Sequence, residues 1–175
     1  MSDMKTAILD AAERRMQAGG FGGFSFREIA ADVGIKSSSV HYHFPTKEAL
    51  AAAVIRRWGE RTFTRIDQEL AKDPDPVRVW TKAFRRTAHS EAHMCPCAVL
   101  GASAQGLPEE VAGEVKDFFG KCHVKLANQG LTPGKAAEFL STITGALLLA
   151  NALRDPAQYD RATREMLRDR EKATA

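Results

Sequence analysis

Apolar residues recur at helical spacing along nearly the whole chain. Nowhere does a Val-, Ile- or Thr-rich run alternate with polar residues as a half-buried strand requires. A chain with this pattern buries its apolar faces by packing helix on helix, so the expected fold class is all-α. Gly and Pro cut the pattern into about nine segments. Met4, Ile8, Leu9, Ala12 and Met16 mark one face of a first helix over about 3–18, which Gly19-Gly20 stops. Ser25 and Glu28 have the spacing of a capping box ahead of a short second helix over 26–32, ended by Gly34. A third helix spans 37–44 and breaks at Pro45; one of Ser37, Ser38 and Ser39 is expected to cap it. Thr46 then caps a long fourth helix over 47–70. Asp73-Pro74-Asp75-Pro76 restarts the chain into a fifth helix. A short sixth starts near Pro96 and ends by Gly106, a seventh runs from Pro108 to Gly130, and an eighth from Thr132-Pro133 to about Leu153; a charged ninth ends near Arg170.

The division that follows is a small three-helix unit over 1–46 and a larger helical part over 47–175, with the helix at 47–70 linking the two. Three short helices have a thin core alone, so the long helix is expected to join both parts into one working unit. Composition narrows the class. Apolar residues make up 44% and charged residues 27%, too apolar and too balanced for wholesale disorder. No apolar run approaches the roughly 18 residues a bilayer crossing needs, so no membrane partner is expected. The first residues lack the apolar core of a signal peptide, and three cysteines make no disulfide framework; a cytoplasmic protein is the expectation.

The stretch 24–50 carries the most information. Two short helices flank a turn at Gly34, and the second is sized for a DNA major groove: the anatomy of a helix-turn-helix. From Val33 to Lys47 there is no acidic residue. That window offers Lys36, Ser37, Ser38, Ser39, His41, Tyr42, His43, Thr46 and Lys47, whose hydroxyls, imidazoles and amines serve phosphates and base edges; Arg27 precedes it. Ile35, Val40 and Phe44 are left to anchor the helix, opposite Ile29, Ala30 and Val33. The net charge of +3 looks too small to use until it is located. Residues 1–66 carry ten Lys and Arg against seven Asp and Glu, and residues 67–175 carry fifteen of each. All of the excess lies in the helix-turn-helix unit taken together with its long helix. Taken singly, these residues also fit a structural role: Tyr42 and His43 against the first helix, Arg27 and Lys47 as solvated charges.

Phe24-Ser25-Phe26-Arg27-Glu28-Ile29-Ala30, then Val33-Gly34-Ile35, then 40–50 (Val40-His41-Tyr42-His43-Phe44-Pro45-Thr46-Lys47-Glu48-Ala49-Leu50) resemble the N-terminal signature of the TetR/AcrR family of transcriptional regulators. The resemblance covers about residues 5–60. It implies a homodimeric, all-helical regulator, most often a repressor, that binds a double-stranded operator and is released by a small-molecule effector. It implies that 37–44 is the recognition helix, that Tyr42, His43 and Lys47 touch the DNA backbone, and that Ser37, Ser38, Ser39 and His41 face bases or nearby phosphates. The family more often carries Tyr where His41 stands, which bears on base preference and not on fold.

In the remaining chain, Trp80, Phe84, Phe118 and Phe119 are candidate walls of an effector pocket, or ordinary core aromatics at helical spacing. The resemblance adds an apolar pocket between the fourth and eighth helices, which brings in Phe63, Ile66 and Leu100. His93, Gln105, His123 and Asn128 are its few candidate polar groups. All three cysteines, and all three histidines outside the recognition helix, fall within 89–123. They read as buried structural residues, with Cys97 on the pocket side; as a redox or electrophile sensor using Cys97 and Cys95, with Cys122 a further resolving partner; or as a soft metal site, for which C-x-C lacks the usual reach. Helix eight has more apolar surface than one bundle face absorbs. Phe139, Ile143, Leu147 and Leu148, with Met166 at the edge, are the expected dimer interface. An enzyme is the rival class, but no phosphate loop, nucleophile elbow or H-E-x-x-H motif is present, and Glu109-Glu110 fits a helix N-terminus. A thiol- or metal-binding protein with a vestigial helix-turn-helix is the third. No cofactor is implied.

Overall fold

The computed structural model describes residues 2–91 and 94–173, with side chains for 3–91 and 94–168. Among the described residues there is no strand. The helices are α1 (Ser2–Gly19), α2 (Phe26–Val33), α3 (Ser37–His43), α4 (Lys47–Leu70), α5 (Pro76–Ala88), α6 (Pro96–Gly101), α7 (Glu109–Asn128), α8 (Pro133–Ala152) and α9 (Ala157–Ala173). Short 3-10 turns lie at Phe21–Gly23 and Ala104–Gly106. None of the helices among the described residues is long and apolar enough to cross a membrane.

The chain compacts into two units, along a different line from the motif boundary at residue 46. Unit 1 holds the described parts of Met1–Gly59 and Pro96–Phe118; unit 2 holds those of Glu60–Cys95 and Phe119–Ala175. In unit 1, α1 packs on α2 and α6, and α2 on α3. Its core is Ile8, Met16, Phe24, Ile29, Val40, Phe44, Leu50 and Ile55, each under a tenth exposed. In unit 2, α5, α8 and α9 pack on one another. Trp80 and Tyr159 are fully buried there, and the Tyr159 hydroxyl donates to the Thr81 carbonyl at 3.0 Å.

The sixth helix starts at Pro96 as expected and ends at Gly101, ahead of Gly106, because Ser103 leaves helical geometry and its backbone N–H bonds the Leu100 carbonyl three residues back, as a tight turn does. One local expectation needs correction: no serine caps α3. Lys36 occupies the N-cap without a side-chain hydrogen bond, and Ser37 is already helical, so all three serine hydroxyls remain outside the cap.

The apolar excess of α8 resolves into two faces. Ala136, Phe139, Leu140, Ile143, Ala146, Leu147 and Ala150 are buried within the protomer, whereas Leu148, Leu149 and Leu153 are more than half exposed. Phe139, Ile143 and Leu147 therefore belong to the protomer's own core and not to a free surface. Leu148 alone of the five expected interface residues stands out into solvent; Met166 is half-buried.

Candidate nucleic-acid interface

The helix-turn-helix is built by local chemistry. Ser25, in extended backbone, accepts the Glu28 N–H at 3.3 Å, and its hydroxyl donates to the Glu28 carboxylate at 2.8 Å. That hydrogen bond is the first cause holding the Glu28 carboxyl below its ordinary range; the Arg15 guanidinium adds to it. At the other end of α2, Gly34 takes φ 74°, a left-handed conformation that costs any residue with a Cβ roughly 1–2 kcal/mol. Its N–H closes on Ala31, and the Ile35 N–H reaches the Ala30 carbonyl, so the chain turns within three residues into α3.

One residue of α3, Val40, is fully buried, and Phe44 plugs the core at its C-cap. The remainder faces outward. Tyr42 is 78% exposed, and Ser38 and His41 are exposed, with Ser37, Ser39 and His43 half-buried. Tyr42 therefore does not pack against α1. His41 is not loose: its ring meets Phe26 of α2 edge-on, centroids 4.5 Å apart, and His43 meets Tyr42 in the same way at 5.2 Å. Arg27, Lys36 and Thr46 are exposed. Thr46 also caps α4, accepting the Ala49 N–H at 3.1 Å.

Cations in unit 1 are sorted by their partners. Arg15 makes paired hydrogen bonds to Asp32 (2.5 and 2.9 Å) and reaches Glu28; that bond to Asp32 is the first cause holding the Asp32 carboxyl low and the Arg15 guanidinium high. Arg57 bridges Asp10 and Glu13, and Arg56 pairs with Glu114. These arginines are neutralised within the fold. Lys47 instead lies over two aromatic faces, 4.6 Å from the Phe21 centroid and 4.8 Å from that of Phe24, and Lys5 lies 5.6 Å from Phe44. Rings attract a cation without cancelling its charge. The 3-10 turn that places Phe21 depends on Gly23, where a Cβ would sit 2.9 Å from the Arg15 carbonyl oxygen. Sequence reasoning did not reach Lys5; its signal, a lysine beside the aromatic at the C-cap of α3, exists only in three dimensions.

Candidate effector residues are dispersed. In unit 2, Phe63, Trp80 and Phe84 form a cluster with centroids 6.3–6.4 Å apart. Trp80 is fully buried and its indole N–H donates to Gln129 at 2.8 Å, as a core tryptophan does. Phe119 and His123 line a cavity of about 270 Å³ with Leu140, Ser141 and Thr144. A second cavity in unit 2, about 410 Å³, is lined by Val77, Leu131, Lys135, Glu138, Phe139 and Met166, none of them expected as effector contacts. Cys97, Leu100 and Phe118 are buried in unit 1. His93 lies outside the described residues.

All three cysteines are buried thiols. Desolvation pushes the Cys122 thiol well above its ordinary value, with Cys95 adding to the effect. A buried thiol that resists ionisation is a poor nucleophile, which weighs against Cys122 as a resolving partner. His89 sits 3.2 Å from Asp160, which Arg85 holds bidentately, so this imidazole is engaged by a carboxylate.

A capped short helix, a left-handed glycine turn and an exposed, acid-free second helix define a helix-turn-helix protein of the transcription-regulator class. Comparison with known proteins specifies the family. The model of bacterial regulatory proteins of the tetR family matches residues 8–54. The HTH-type transcriptional regulator RutR of Escherichia coli K12 is 30% identical over 122 residues, 66% of this chain and 57% of RutR, so the match spans little more than half of that relative. The uncharacterized regulator YuxN of Bacillus subtilis is 28% identical over 82 residues, 47% of this chain and 28% of its own. Among solved structures, a TetR-family transcriptional regulator from Agrobacterium tumefaciens superposes with a TM-score of 0.86 at 29% identity, covering 96% of this chain and 97% of its own. A TetR regulator from Legionella pneumophila gives 0.81 at 26%, covering 93% and 95%. The chain belongs to the TetR family of transcriptional regulators.

Proposed function

We propose that this protein is an effector-controlled repressor that binds a palindromic operator as a homodimer. The exposed face of α3 carries the reading. It presents Ser38, His41 and Tyr42 to solvent, with no acid between Val33 and Lys47, while Arg15 and Arg57 are already paired with carboxylates. In a dimer, two such helices spaced about 34–36 Å apart fit successive major grooves. Lys36, Thr46, Lys47, Tyr42 and His43 then serve phosphates, and Ser37, Ser38, Ser39 and His41 the base edges and nearby phosphates.

The effector site is assigned to unit 2. An open groove of about 410 Å³ falls in the size range of small-molecule sites, and Val77, Leu131, Phe139 and Met166 give it an apolar wall beside the exposed Lys135–Glu138 pair. Helix α4 begins three residues after the C-cap of α3 and continues into unit 2, so it is the element through which occupancy reaches the reading head. An effector that favours one setting of α4 over another releases DNA with a coupling of about 1–3 kcal/mol. Selection of binding sites from random duplex DNA tests the proposal. Enrichment of an inverted repeat with half-sites one helical turn apart is expected, and a pool that stays random contradicts it.

A further inference from the structure

We propose that Lys5, at the start of α1 and outside the helix-turn-helix, is a DNA-phosphate contact held in place by the ring of Phe44. The proposal rests on the DNA-binding reading above and adds a contact to it. Lys5 is exposed, and its ammonium lies 5.6 Å from the Phe44 ring centroid. That ring is a fixed platform: Phe44 is 4% exposed, and its backbone N–H bonds the Val40 carbonyl to close α3. One core side chain thus ends the recognition helix and positions a cation beside it.

Among the described residues Lys5 has no carboxylate partner. Asp3, two positions back on the same helix, does not share its face. Binding a phosphate at Lys5 therefore breaks no ion pair, whereas recruiting Arg15 or Arg57 would break several. Lys47 is held in the same way, over Phe21 and Phe24. A ring restrains a long flexible side chain and leaves its charge intact, which lowers the ordering cost of a phosphate contact. Lys5 and Lys47 are thus two ring-mounted cations of the reading head.

The test uses the full chain and its selected duplex, with affinity measured between 50 and 200 mM salt. Each phosphate contact contributes about 0.9 to the slope of log affinity against log salt, so one contact accounts for about a 3.5-fold change over that range. Lys5→Gln is expected to weaken binding at low salt and flatten the slope by that amount per protomer. It should weaken selected and scrambled duplexes alike and leave the melting temperature unchanged; Lys5→Arg should restore the slope. A Lys5→Gln variant with the parent's slope overturns the proposal, even if its affinity or melting temperature falls, because Lys5 would then only buttress Phe44. A parent chain that binds no duplex overturns the DNA-binding reading itself, and the proposal with it.

Discussion

Single residues decide whether the reading head can form. Gly23 has no room for a side chain: a Cβ would press to 2.9 Å on a backbone oxygen, Arg15 O, which cannot swing aside. Gly23→Ala should cost about 1–3 kcal/mol and lower the melting temperature by several degrees. Because the turn it serves holds Phe21 under Lys47, DNA affinity should fall with it. In unit 2 the sensitive residue is Asp73. Arg78 donates to it twice (2.6 and 2.9 Å), and this bond, with the Asp75 N–H and Lys82 assisting, depresses its carboxyl to about 2. Its folded value lies below the unfolded value of about 3.9, so the stability it contributes is present above pH 4 and is lost as pH falls toward 2. Asp73→Asn should accordingly be less stable than the parent at neutral pH, with the gap closing between pH 4 and 2 in thermal unfolding. A gap independent of pH would place the effect elsewhere.

Among the elements, α2, α3 and the N-terminus of α4 were legible from the sequence, and α8 only in part. The first three are specified by chemistry within a few residues: Ser25 with Glu28, Gly34 in its left-handed turn, Thr46 with the Ala49 N–H. Helix α8 is apolar on most sides, so its period cannot say which apolar residues face inward; Leu147 is fully buried and Leu148 is 53% exposed. The proposed effector pocket was hidden for a related reason. Trp80 and Phe84 have the spacing of pocket walls and of core residues alike; both are buried, and Trp80 is hydrogen-bonded to Gln129. The pocket at Val77, Leu131 and Met166 joins α5, the loop between α7 and α8, and α9, which are far apart in sequence. The exposed face of α8 carries its own prediction. Leu148→Glu places a charge on a surface the folded protomer does not need, so secondary structure and melting of the protomer should be retained. Sedimentation at micromolar concentration should shift from twice 19.1 kDa toward 19.1 kDa. A variant that stays dimeric would move the interface off this face.

At the scale of the whole molecule, charge and compaction explain each other. The small net charge of +3 belongs to residues 1–66, and within unit 1 the fold neutralises Arg15, Arg56 and Arg57 while leaving Lys5, Arg27, Lys36 and Lys47 outside ion pairs among the described residues. Unit 1 also includes α6 and the first half of α7, so part of the later sequence is packed into the reading head's own unit, with Val99 against the Gly20 turn. The motif boundary at residue 46 could not reveal this, because packing between α1 and α6 joins segments some eighty residues apart. The most direct test of the central claim is the affinity of the full-length protein for its selected palindrome and for a scrambled duplex, each titrated with salt. The account predicts a steep loss of affinity with salt on both, and a preference for the palindrome of about a thousandfold or more. Equal affinity for the two duplexes, or binding indifferent to salt, would contradict it.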